Sequence, residues 1–115
     1  GIVLGEVKYT GPLLFFNNTV FLWNVPQFGY VETPGRHGVF AGWVPDVFQI
    51  FDHVSHLPEL LVIGTGQTMW PLPPALRDTL RRYGMQIEVQ STRRAAATFN
   101  VLAQEGRRVG VALLP

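Results

Sequence analysis

The residues of this 115-residue chain whose types and spacing could do chemistry fall into three groups, and the first is Gly64-Thr65-Gly66. It follows the apolar run Leu60-Leu61-Val62-Ile63, at a strand end where an open α/β sheet binds ligands. A dinucleotide fingerprint needs a further glycine at position 69, which is Met69, and a helix that opens directly on the loop. Here Trp70-Pro71-Leu72-Pro73-Pro74 intervenes, and Glu88 alone stands where a ribose-binding acid belongs. The glycines read instead as a structural turn. The second group is His53 and His56, spaced i, i+3 beside Asp52. Zinc needs three or four ligands, and the one other histidine, His37, lies in a loop. Surface histidines at a helix end are the simpler account. Ser55 sits between the two histidines, but adjacent residues on a helix do not face each other. Neither a nucleophile elbow nor a carboxylate pair is present, and the absence of cysteine removes thiolate nucleophiles, disulfides and zinc ribbons together. The expected catalytic, metal and cofactor sets are therefore empty.

The third group is basic. Arg93-Arg94 opens a helix, where cations oppose the positive end of the helix dipole unless an anion or a partner's carboxylate sits there. Together with Arg107-Arg108 it is expected to form a basic surface able to take acidic protein, phosphate or RNA; the alternative is solvated arginines at helix ends. Residues 1–60 carry Lys8 and Arg36 against five acids, a balance of −3, and residues 61–115 carry seven arginines against three acids, a balance of +4. Eight of the nine basic residues are arginine, the type that suits bidentate pairing at interfaces, although nucleotide bias in a genome also raises arginine over lysine.

The elements that must position these groups are legible. Ile2-Val3-Leu4 and Val7-Lys8-Tyr9 read as strands around Gly5. Leu13 to Phe16 and Thr19 to Trp23 read as a hairpin across Asn17-Asn18, since asparagine tolerates the left-handed backbone of a tight turn. Asn17-Asn18-Thr19 also matches a glycosylation sequon, a common accidental match. Residues 26–44 form a Gly/Pro-rich loop with interleaved aromatics. Phe28, Tyr30, Phe40 and Trp43 are natural partner-binding anchors if exposed, or core if they fold back over the hairpin. From Pro45 the pattern turns helical, with Val47, Ile50, Phe51 and Val54 on one face. After the Gly64–Gly66 loop, a helix runs from near Pro73-Pro74 to Gly84 with Leu76, Leu80 and Tyr83 inward. Ile87 and Val89 mark a strand, and Ser91 or Thr92 caps a second helix with Ala95, Thr98 or Phe99, and Leu102 inward. Val109 to Leu114 form the last strand. The alternation predicts α/β class: one domain over residues 1–115, with N-terminal antiparallel strands and a parallel βαβαβ unit.

Charged residues are 15% of the chain against 47% hydrophobic, a low charge content that fits a subunit of a larger assembly better than a free monomer. Apolar runs reach about seven residues, too short to span a bilayer of roughly 30 Å. No targeting segment is legible from Gly1-Ile2 onward, and a removed presequence leaves the same picture.

Pro58-Glu59-Leu60-Leu61-Val62-Ile63-Gly64-Thr65-Gly66 resembles a segment of the mitochondrial complex I assembly factor 3 family and its bacterial and archaeal relatives. Thr92, Ala95, Thr98-Phe99-Asn100, Leu102 and Glu105-Gly106-Arg107 resemble a later one, and Tyr9, Gly11-Pro12 and Trp23-Asn24-Val25 echo the family's opening. Residues 26–44 look like an insertion. Ser91 stands where the family often has an acid, so with Arg93-Arg94 this corner is more basic than usual. The resemblance implies a non-enzymatic, chaperone-like factor for the quinone-binding arm of respiratory complex I, without cofactor. Its implied partners are complex I subunits and a second assembly factor, and its implied location is the mitochondrial matrix or the periphery of the inner membrane. The alternative is a subunit or assembly factor of another large mitochondrial complex such as the mitoribosome, touching protein or RNA through the arginine surface.

Overall fold

The computed structural model describes residues 2–4, 7–9, 11–17, 19–23, 25, 40 and 43–115. Phe28, Tyr30 and His37 lie outside the described residues. Strands β1 (Ile2–Leu4) and β2 (Val7–Tyr9) pair antiparallel as a two-stranded sheet. Asn17 takes the left-handed backbone with φ 51°, and the hairpin expected across it forms from β3 (Leu13–Phe16) and β4 (Thr19–Leu22). The chain then makes a 3-10 helix (Pro45–His53), β5 (Leu60–Thr65), α1 (Pro74–Arg82), β6 (Gln86–Gln90), α2 (Thr92–Gln104) and β7 (Val109–Leu114).

The main sheet has five strands in the order β4-β3-β7-β5-β6. β5 pairs parallel with both β6 and β7, Val62 lying opposite Glu88 on one side and Val111 on the other. β7 pairs antiparallel with β3, Leu14 opposite Ala112. The parallel βαβαβ unit and the antiparallel N-terminal hairpin are thus joined in one sheet, the α/β architecture expected of the sequence. β5 and β7 are buried at almost every position, which is why they read as unbroken apolar runs rather than alternations.

Alternation decides which helix each strand residue meets. Leu14, Phe16, Leu61, Ile63 and Ala112 face one core together with Leu76 and Leu80 of α1. Leu13, Val62, Val111 and Leu113 face the opposite core, covered by Ala95 of α2 and, partly buried, by Phe99 and Leu102. The first core is aromatic: Trp23 packs on Trp43 at 5.1 Å, Phe40 on Trp43 at 5.0 Å and Phe16 on Phe51 at 5.6 Å.

The segment after Pro45 departs from the α-helical expectation. It is a 3-10 helix of nine residues, long for that type. Three residues per turn bring Pro45, Phe48, Phe51 and Val54 into one line, so Phe48 and Phe51 are buried while Val47 and Ile50 are only half-covered. Trp23 Nε1–H donates to the Val47 carbonyl at 2.9 Å, fastening the hairpin to this helix.

Candidate functional site

β5 extends through Gly64 and Thr65, so the expected glycine loop is mostly strand: Gly64 pairs with Gln90 and Leu113, and Thr65 with Leu114. The reason for Gly64 is close approach. A Cβ there would lie 2.7 Å from Thr92 Cα and 2.9 Å from Leu113 Cδ2, so only glycine lets the start of α2 rest on the sheet.

Two threonines tie this corner together. Thr92 Oγ1 accepts from Gly66 N–H at 2.7 Å and donates to the Leu114 carbonyl at 2.5 Å, while Thr92 N–H donates to the Gly66 carbonyl at 2.8 Å. Thr65, 1% exposed, accepts from Trp70 N–H at 3.1 Å and donates to the Thr68 carbonyl at 2.7 Å, with the Gln90 carbonyl a second acceptor at 3.2 Å. The hydroxyls at the strand ends are thereby committed to backbone, and Gly66 N–H faces Thr92 rather than a phosphate. Gly64, Thr65 and Gly66 form a structural joint.

Ser91 occupies the N-cap of α2 without a side-chain capping bond, and the first turn carries no acid. Arg93 and Arg94 are exposed there, with no ion-pair partner among the described residues. At the other end, Gly106 (φ 81°) turns the chain back, Gly106 N–H donating to the Ala103 carbonyl and Arg107 N–H to the Leu102 carbonyl. This is the Schellman arrangement, which sets Arg107 and Arg108 just beyond the helix end, where cations complement the dipole. Arg107 Nε meets Glu59 Oε1 at 3.3 Å, both side chains nearly half-exposed, so the pair contributes about 0–1 kcal/mol. Arg108 has an exposed side chain, and its carbonyl accepts from Glu59 N–H at 2.9 Å.

The basic surface expected from the sequence is therefore divided between the two ends of α2. Ten residues of α2, 95–104, lie between the arginine pairs and put about 15 Å of helix between them, because the helix rises about 1.5 Å per residue. Of the aromatics assigned to a partner surface, Phe40 is 2% and Trp43 9% exposed. Both complete the aromatic core against Trp23 and Phe48, because large rings gain more from that burial than from an exposed loop. Tyr83 is likewise fixed, its ring on Phe51 at 5.7 Å and its OH donating to Asp52 Oδ1 at 2.7 Å. That bond to the carboxylate, then burial, holds the phenol above its ordinary pKa. His53 and His56 are exposed, and among the described residues no cluster of three metal-ligating side chains exists.

Two features were not read from the sequence. Leu22, Val44, Met69 and Val101 are exposed apolar residues, and Val101 was legible in principle because it falls outside the inward positions 95, 99 and 102 of α2. Phe15 and Phe99 meet edge to face at 5.3 Å across β3 and α2, a pairing that depends on strand order and has no local signal.

The chain is 34% identical over 115 residues to the mouse (Mus musculus) protein named NADH dehydrogenase (ubiquinone) 1 alpha subcomplex assembly factor 3, covering all of this chain and 56% of that one. The chain thus spans about half the length of the curated relatives it matches. A Bordetella parapertussis crystal structure superposes with a TM-score of 0.74 at 30% identity, covering 96% of this chain and 84% of that one. A Rhodopseudomonas palustris solution structure superposes with a TM-score of 0.72 at 28% identity, covering 99% and 76%. The resemblance to the assembly factor 3 family is shown by these relatives. With residues 1–114 matching its profile, the chain belongs to the family described as protein of unknown function (DUF498/DUF598).

Proposed function

We propose that this chain is a non-enzymatic, protein-binding assembly factor for the quinone-binding arm of mitochondrial respiratory complex I, working with a second assembly factor. The observation that carries the reading is the match along the whole chain, at 34% identity, to mouse assembly factor 3. The strand-end corner supports it, because the hydroxyls of Thr65 and Thr92 are spent on backbone carbonyls and amides and are not offered to a substrate. Arg93, Arg94 and Arg108 supply polar partner contacts, and Phe28 and Tyr30 add aromatic ones. The proposed location is the mitochondrial matrix, at or near the inner membrane surface. Among the described residues no helix is long and apolar enough to cross a membrane.

Complementation tests this. The chain replaces the matching segment of the mouse protein in mouse cells lacking their own assembly factor 3. Restored complex I assembly on native gels is the expected result. An imported, stable chimera that restores nothing contradicts the reading.

The exposed arginines at both ends of α2 favour a second reading, association with the mitoribosome through protein or RNA. That reading predicts binding to ribosomal RNA that weakens steeply with salt through counterion release; salt-insensitive binding sinks it.

A further inference from the structure

A cleft of about 290 Å³ lies beside the last turn of α2, where the helix faces the end of β3 and the start of β7. Its floor is apolar. Phe15 and Phe99, both partly exposed, meet there edge to face at 5.3 Å beside Pro58 and Val109. Its rim is cationic, formed by Arg107 and Arg108, and no carboxylate residue lines the cleft. Arg107 is already held by Glu59 at 3.3 Å, whereas Arg108 has no side-chain partner among the described residues.

The volume sits at the low end of the roughly 300–1,000 Å³ typical of ligand pockets, enough for one or two side chains but not for a nucleotide cofactor. Aromatic rings beside an unpaired guanidinium are the composition of interface hot spots. A phosphate chain needs several free cations along its track, and here one of two is neutralised by Glu59. An acidic peptide needs only one, because a carboxylate takes the guanidinium fork through two parallel hydrogen bonds.

We infer that this cleft docks an acidic segment of a protein partner: an aromatic or branched side chain enters against Phe15 and Phe99, and a neighbouring carboxylate pairs with Arg108. The inference rests on the protein-binding reading above and adds the chemistry of the surface the chain recognises.

The test uses the purified chain and two fluorescein-labelled ten-residue Gly/Ser peptides, one containing Phe-Glu-Glu and the other Phe-Lys-Lys, with a ten-nucleotide oligo(U) as the nucleic-acid probe. The expected result is saturable binding of the Phe-Glu-Glu peptide alone. Arg108→Glu lowers its affinity at least about tenfold, the loss expected when a charge-assisted bond is removed. Ala103→Trp, at an exposed α2 position that lines the cleft, abolishes binding while the melting temperature stays that of the parent chain. No binding of the Phe-Glu-Glu peptide at millimolar concentration, equal binding of both peptides, preference for oligo(U), or indifference to Arg108→Glu would each overturn the inference. Because the titration uses the chain alone, its failure is distinct from a failure of complementation.

Discussion

Thr92 joins three pieces of backbone with one hydroxyl, accepting from Gly66 N–H and donating to the Leu114 carbonyl at the first residue of α2. Thr92→Val keeps the shape and leaves both backbone groups unpaired, which costs about 2–4 kcal/mol, whereas Thr92→Ser keeps the hydroxyl and costs less than about 1 kcal/mol. Urea denaturation of the pair measures this, and equal losses would show that the methyl group, not the hydroxyl, matters there. Gly64→Ala is predicted to cost about 3 kcal/mol or more, since its Cβ meets the backbone of Thr92, which cannot rotate away. Tyr83 makes a pH-dependent contribution. Its folded pKa is raised, chiefly by the bond to Asp52, so the folded state holds the phenol proton more tightly than the unfolded chain does. The stabilisation is fully present below the unfolded value of about 10 and is lost as pH rises through the higher folded value. Stability of the parent chain minus that of Tyr83→Phe should therefore be flat below about pH 9 and fall above about pH 10. A difference that stays constant to about pH 11 would remove Asp52 as the cause.

At the scale of elements, the two helices end as their glycines require, but the glycines differ in what they forbid. Gly106→Ala meets open space and pays only for its left-handed backbone, about 1–2 kcal/mol, less than the clash at Gly64. Thermal melts of the two variants should rank in that order. The strand–helix alternation from Leu60 to Leu114 was legible because each element carries its own period and its own stop: apolar runs for β5 and β7, and Gly84 and Gly106 after the helices. The 3-10 helix was not, because Val47, Ile50, Phe51 and Val54 fit a 3.6-residue period as well as Phe48 and Phe51 fit a period of three. What decided between them is the aromatic cluster of Trp23, Trp43 and Phe48, assembled from segments distant in sequence. The same holds for Phe40 and Trp43, whose loop composition fits either surface anchors or core and whose rings are core. The arginine pairs were legible as residues but not as a site. Nothing in Arg93-Arg94 or Arg107-Arg108 says that α2 puts about 15 Å of helix between them.

At the scale of the whole molecule, the central strands β5 and β7 are buried on both faces, which leaves function to the edge strands, the rim of the sheet and the outer surface of its helices. The charge balance of −3 over residues 1–60 and +4 over residues 61–115 places most of the positive charge on α1, α2 and the turns beside them. Among the described residues the molecule has a satisfied strand-end corner, exposed arginines at both ends of α2, and a side-chain-sized cleft at one of them, which are the surfaces the proposed protein-binding role would use. The most direct test is a native pull-down of the chain from the cells that make it, with quantitative mass spectrometry of the recovered proteins and sequencing of any RNA. Sub-stoichiometric recovery of the subunits of the quinone-binding arm of complex I together with a second assembly factor is the predicted result. Ribosomal proteins and RNA in fixed ratio, or the chain recovered alone, would contradict the assembly-factor account.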